Sequence, residues 1–191
     1  MNPLDLYVRH MTGNRRGLGA SCVQTAPGED TCYYDGSDKE AQVAAVLQRA
    51  RVRLQESLSG SSDDLSALRR MLAAVPGGRG RELFPTLGAL RDFLRSHAGY
   101  LDDPPGRDSV QTLARTLKRG MGDCLSFTIA LSAGAHALNL PVQWRIAGFP
   151  EDPSRHIWPV IAGVPVEASD PMPMLGREFT HFTRRREVSP W

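Results

Sequence analysis

Val43, Leu47, Ala50, Leu54 and Leu58 recur three and four residues apart, the spacing that gathers apolar side chains on one face of a helix. Ser37 followed by Glu40 reads as a capping box that opens this helix. Ser59-Gly60-Ser61-Ser62 breaks it, and Leu65, Leu68, Leu72 and Val75 predict a second helix ending at Pro76-Gly77-Gly78, so the pair forms a helical hairpin. Thr86 to His97 predicts a third helix, with Leu87, Leu90, Phe93 and Leu94 on one side. Past the turn-rich Asp103-Pro104-Pro105-Gly106, Asp108 or Ser109 caps a short helix that stops at Gly120. A helix beginning near Cys124 then carries Cys124, Phe127, Leu131, Ala135 and Leu138 on one face.

After Asn139 the period changes. Val142 to Ile146, Ile157 to Ile161 and Val164 to Glu167 are short β-type runs separated by Gly and Pro. Three strands in succession predict an antiparallel sheet packed on the preceding helix, an α+β fold. Residues 1–36 are rich in Gly, Asn, Thr and Asp and lack a period, so they read as an irregular arm with a short hairpin around Pro27-Gly28-Glu29-Asp30. Pro76 to Gly80 is the best linker, which divides the chain into an arm over 1–36, a helical hairpin over 37–80 and a main domain over 81–191.

Composition narrows the function classes. A chain of 191 residues holds one full core with room for an appendage. Its 23 basic and 21 acidic side chains leave a net charge of +2, so no single-sign field points to a nucleic acid. The longest apolar run, Leu125 to Leu140, is interrupted by Ser126, Thr128, Ser132, Gly134, His136 and Asn139, too short and too polar to span a bilayer. Three cysteines, Cys22, Cys32 and Cys124, are an odd number in a chain without an apolar signal segment, which predicts a reducing, cytoplasmic setting. Cys22 and Cys32 with His10 match no usual metal spacing, so neither metal nor cofactor is expected. Arg184-Arg185-Arg186 reads as a solvated tail, with a docking contact as the alternative.

The chemistry lies in three residues. Gly122-Asp123-Cys124 places a thiol at a helix start, His156 opens an apolar strand and Asp170 precedes Pro171. Taken singly these are a small core residue, a structural histidine and a turn former. Together, in Cys, His, Asp order at element ends, they are the parts of a nucleophilic cysteine site. A free thiol, with a pKa of about 8.5, needs help to ionise at neutral pH, and a helix N-terminus and a facing imidazolium both supply it. The Cys124 amide is one donor for the oxyanion of a tetrahedral intermediate, and Gln111 and Tyr100 are the candidates for a second. Trp144 and Trp158 stand open as groove lining or core. His136 lies too far along the Cys124 helix to reach the thiol, and His97 and His181 lack a partner pattern.

From about Arg91 to Pro171 the chain resembles the transglutaminase-like superfamily, relatives of papain-type cysteine enzymes. The matching pieces are Gly122-Asp123-Cys124, Leu138 to Val142 running into Trp144 to Gly148, His156 to Val160, and Val166 to Pro171. The resemblance implies a papain-like core of a Cys-bearing helix on a small antiparallel sheet. It further implies Cys124 as nucleophile, His156 as base and then acid, and Asp170 as the group orienting the imidazole. The implied activity is that of a cysteine hydrolase or acyltransferase acting on a peptide or protein amide through a thioester. Leu125-Ser126-Phe127-Thr128 departs from the acidic residues and Ala that many members carry there. Small proteins of this kind occur among phage and prophage products, which offers the alternative of a virion component that keeps the fold with weak or no catalysis and meets an assembly partner through residues 1–36.

Overall fold

A computed structural model describes residues 20–34, 38–77, 82–150, 152, 154–169, 175–177 and 180–191. The chain is mixed α+β. A hairpin of β1 (Ala20–Ala26) and β2 (Glu29–Tyr34) leads into helices α1 (Lys39–Ser59), α2 (Ser62–Ala73) and α3 (Leu83–His97). Strands β3 (Gly99–Tyr100) and β4 (Arg107–Gln111), helix α4 (Leu113–Arg119), strand β5 (Met121–Gly122) and helix α5 (Cys124–Ala137) follow. The chain closes with β6 (Val142–Gly148), β7 (His156–Ile161), β8 (Val164–Pro165) and β9 (Arg184–Val188). No helix among the described residues is long and apolar enough to cross a membrane.

Helix α5 is the hub. Its residues from Leu125 to Ala135 are all buried, as expected of a helix that is apolar all round rather than on one stripe. Leu90 of α3 and Met71 of α2 converge on it at Gly134, where a Cβ would lie 2.9 Å from Leu90 Cδ2 and 3.0 Å from Met71 Sδ. Thr128 Oγ1 donates to the Ile157 carbonyl at 3.2 Å, and Trp144 Nε1 donates to Ser132 Oγ at 2.8 Å, joining α5 to the sheet ordered β8-β7-β6-β9.

Several sequence expectations change here. Asp38, not Ser37, is the N-cap of α1, its carboxylate accepting from the Glu40 and Ala41 amides; Ser37 lies outside the described residues. Arg107 to Gln111 is strand rather than helix because it pairs with β2, and Thr112 takes over as N-cap of the short helix that does stop at Gly120. The hairpin expected around Pro27-Gly28 is present over residues 20–34, longer than expected and held in the sheet ordered β1-β2-β4. One apolar cluster joins Cys32, Leu47, Leu54, Met71, Leu90 and Leu131, from both sides of the expected seam at residue 80; residues 78–81 themselves are outside the description. Arg184–Val188 is a strand on β6, with Arg145 paired to Glu187, rather than a tail.

Cys22 and Cys32 lie directly opposite one another in the β1–β2 register and form a disulfide. This overturns the reading of three reduced thiols. A cysteine count cannot see that antiparallel pairing sets two of them face to face; Cys124 is the free one among the described residues.

Candidate active site

Asp123 caps α5: its carboxylate accepts from the Ser126 amide at 2.8 Å, and its carbonyl accepts from the Phe127 amide at 3.0 Å. Cys124 is therefore the first helical residue, half-buried, with an amide that the helix itself supplies with no acceptor. Helical spacing puts residues 124 and 128 one above the other. They face one residue of β7: the Ile157 amide favours the ionised Cys124 sulfur, and Thr128 donates to the Ile157 carbonyl. That docking brings His156, one residue earlier, to the cavity that Cys124 lines. Cys124 and His156 line the same cavity of about 100 Å³, together with Asp108, Asp123 and Tyr34.

The acid on the imidazole is Glu167. Its Oε2 lies 2.7 Å from His156 Nε2, and its other oxygen accepts from the Ser169 amide at 2.8 Å and from the Ser169 hydroxyl. The Val166 amide donates to the Pro159 carbonyl at 3.0 Å, so the chain after β8 runs back along β7 and delivers Glu167 beside His156. Asp170, the acid expected from sequence, lies outside the described residues. The signal for Glu167 was present: a lone carboxylate inside the apolar run Val164 to Ala168 has to find a buried partner. Trp158 and Phe182 flank the ring, with centroids 5.5 Å and 6.0 Å from that of His156. Trp158 and Trp144 are both fully buried, which resolves them as core.

The cavity opens into a cleft of about 550 Å³ lined by Tyr100, Asp103, Asp108, Cys124, His156 and His181, among others. Asp103, Asp108 and Asp123 each bring a carboxylate oxygen within 4.8 Å of the others, the one spacing among the described residues that suits a shared cation. No basic side chain among the described residues pairs with any of the three. Burial, followed by the Asp103 charge, pushes Asp123 up to about 8, and burial with Asp152 pushes Asp108 up to about 6. Burial and then Asp123 hold the Cys124 thiol well above its ordinary value, with the Ile157 amide pulling the other way. These effects favour the protonated thiol, against the ionisation that a helix N-terminus and a facing imidazolium would favour.

A signed prediction follows from these directions. Below about pH 8 Asp123 keeps its proton and leaves the sulfur alone, and above it the carboxylate opposes thiolate formation. Asp123→Asn keeps the capping oxygen without the charge. It should label with iodoacetamide at the wild-type rate at pH 7 and up to roughly tenfold faster at pH 9.5, one pKa unit's worth of relief. Equal rates at both pH values would remove Asp123 from control of the thiol.

The remaining sequence candidates separate cleanly. Gln111 is fully buried, points its Oε1 toward the Thr116 hydroxyl at 3.4 Å and lines neither the cavity nor the cleft, whereas Tyr100 lines the cleft. His136 packs on Trp191 with ring centroids 4.4 Å apart, and His97 stacks on Phe93 at 4.2 Å. His181 was given no partner in the sequence reading; it lies 4.2 Å from Phe182 and lines the cleft. Compared with known proteins, the chain matches no family model, no curated protein and no solved structure.

Proposed function

We propose that the chain is a cysteine hydrolase or acyltransferase of transglutaminase-like type, acting on an amide of a peptide or protein. The observation that carries the reading is the shared cavity of Cys124 and His156, with a buried carboxylate on Nε2 of the imidazole. With Nε2 engaged by Glu167, proton exchange with the sulfur falls to Nδ1. His156 takes the thiol proton as sulfur attacks the carbonyl, and Glu167 stabilises the imidazolium that forms. His156 then returns the proton to the departing amine, leaving a thioester. Water releases an acid, and a second amine gives transamidation. The protonated resting thiol suits this general-base route, in which the proton leaves only as the bond forms. The resemblance in the sequence from Arg91 to Pro171 supports the same reading.

The test is acylation of the full chain by p-nitrophenyl acetate. Wild type should release a burst of nitrophenolate and carry one acetyl group on Cys124. Cys124→Ala should abolish it, and His156→Ala should slow it by on the order of 10²- to 10⁴-fold. A non-catalytic assembly module is the second reading, favoured by the same upward push on the thiol. An acylation rate indifferent to His156→Ala decides for that module.

A further inference from the structure

The cleft holds a polar group that the proton-transfer scheme does not use. Strands β3 and β5 pair in parallel, with Tyr100 opposite Gly122, and the Leu101 amide donates to the Gly122 carbonyl at 3.0 Å. This pairing fixes Tyr100 against the residue two before Cys124. A Cβ at Gly122 would come within 3.1 Å of Phe127 Cε1 and Thr116 Cγ2 and 3.0 Å of Ser126 Cβ, so the two short strands are seated tightly on α4 and α5. The Tyr100 ring meets Phe127 edge-on at 6.0 Å, and its hydroxyl donates to Asp102 Oδ1 at 2.5 Å. Asp102 is exposed, so the hydrogen bond it receives is readily exchanged for another. Burial, then the Cys124 and Asp102 charges, hold the phenol above its ordinary range, so it stays a neutral donor at any working pH.

Acyl transfer at Cys124 needs such a donor. As the sulfur adds to the carbonyl carbon, the C–S bond forms, the carbonyl π electrons move to oxygen and the thiol proton passes to His156. The Cys124 amide provides one hydrogen bond to that oxygen, and a single donor leaves much of its charge uncompensated. We propose that Tyr100 is a catalytic residue whose hydroxyl, releasing Asp102, donates the second hydrogen bond to the carbonyl oxygen of the acyl group. No proton leaves the phenol. When the intermediate collapses, the C=O bond re-forms, the carbon–nitrogen bond of the amide breaks, the departing amine takes the proton from His156, and the hydroxyl returns to Asp102. The inference rests on the acyl-transfer reading above and adds a residue to it.

Two reagents separate the possibilities in the full chain. Iodoacetamide alkylates sulfur at a saturated carbon and builds no oxyanion, whereas p-nitrophenyl acetate acylates through one. Tyr100→Phe keeps the ring on Phe127 and removes only the hydroxyl. Its acylation rate should fall on the order of 10²-fold with the alkylation rate unchanged. Asp102→Asn, which removes the charge and so weakens the acceptor that competes for the phenol, should acylate faster than wild type. The proposal is overturned if Tyr100→Phe acylates at the wild-type rate. It is equally overturned if acylation and alkylation fall together, since the hydroxyl then acts on the thiol, or if Asp102→Asn loses as much as Tyr100→Phe, since the carboxylate then acts. If wild type acylates no faster than Cys124→Ala, the acyl-transfer reading itself fails, a result distinct from all three.

Discussion

If Cys124 is acylated by the proposed route, Glu167→Gln should lower the acylation rate by on the order of 10²-fold or more while leaving the chain folded. The carboxylate lies 2.7 Å from His156 Nε2 in a buried setting, so in the proposed route it would both select the ring tautomer and meet the charge created when the imidazole takes the thiol proton. Glutamine keeps the shape and removes the charge. Burial alone would raise Glu167, but the hydrogen bond and charge of His156, with the Ser169 hydroxyl and amide, outweigh it and hold the group below the usual carboxylate range. The sign is that of a depressed acid. Its stabilising contribution is complete above the ordinary carboxylate pKa and is lost as pH falls through the folded value. Burst kinetics give the rate, and a circular dichroism melt shows that the fold survives. Asp170→Asn is the companion measurement. Full acylation in Glu167→Gln together with loss in Asp170→Asn would return the orienting role to the residue expected from sequence.

The second large effect is on stability. Arg53 of α1 grips Asp30 of β2 through Nε at 2.9 Å and Nη2 at 2.8 Å, and both residues are buried, with Arg53 also bonded to Glu56. Asp30→Ala strands a guanidinium with half its partners in the interior, a change that costs about 3–5 kcal/mol. Urea unfolding followed by tryptophan fluorescence should show the midpoint fall by a corresponding amount with little change in slope. Replacing both partners at once, Asp30→Leu with Arg53→Met, removes the uncompensated charge and should recover most of the loss. A single Asp30→Ala cost under about 1 kcal/mol, the range of an exposed pair, would show that the bridge is solvated in practice. The pair also bears on the site. It ties the hairpin to α1, and Tyr34 of that hairpin and Leu47 of that helix both wall the Cys124 cavity.

Much of the helical framework was readable from spacing. The apolar face of α1, the breaker at Ser59 to Ser62 and the capped start at Cys124 are consequences of periods of three and four residues, which neighbours in sequence set among themselves. Arg107 to Gln111 defeated that approach because its strand character comes from β2, more than seventy positions earlier in the chain. The C-terminal arginines were misread for the same reason, since a run of charge on an edge strand looks like a run of charge on a tail. Of the candidate site, Cys124 and His156 were singled out by their places at element ends and line one cavity, whereas Glu167 and the acid-lined cleft emerged only from the folded chain.

Local order therefore carried the helices, the sequence of thiol before imidazole, and the position of the thiol at a helix start, because each depends on residues a few positions apart. Tertiary structure decided which carboxylate meets the imidazole, which cysteines bond to each other, and that burial, with acidic neighbours second, favours the protonated thiol. Those outcomes depend on strand register and burial, which join residues far apart in the chain and leave no periodic trace in the sequence.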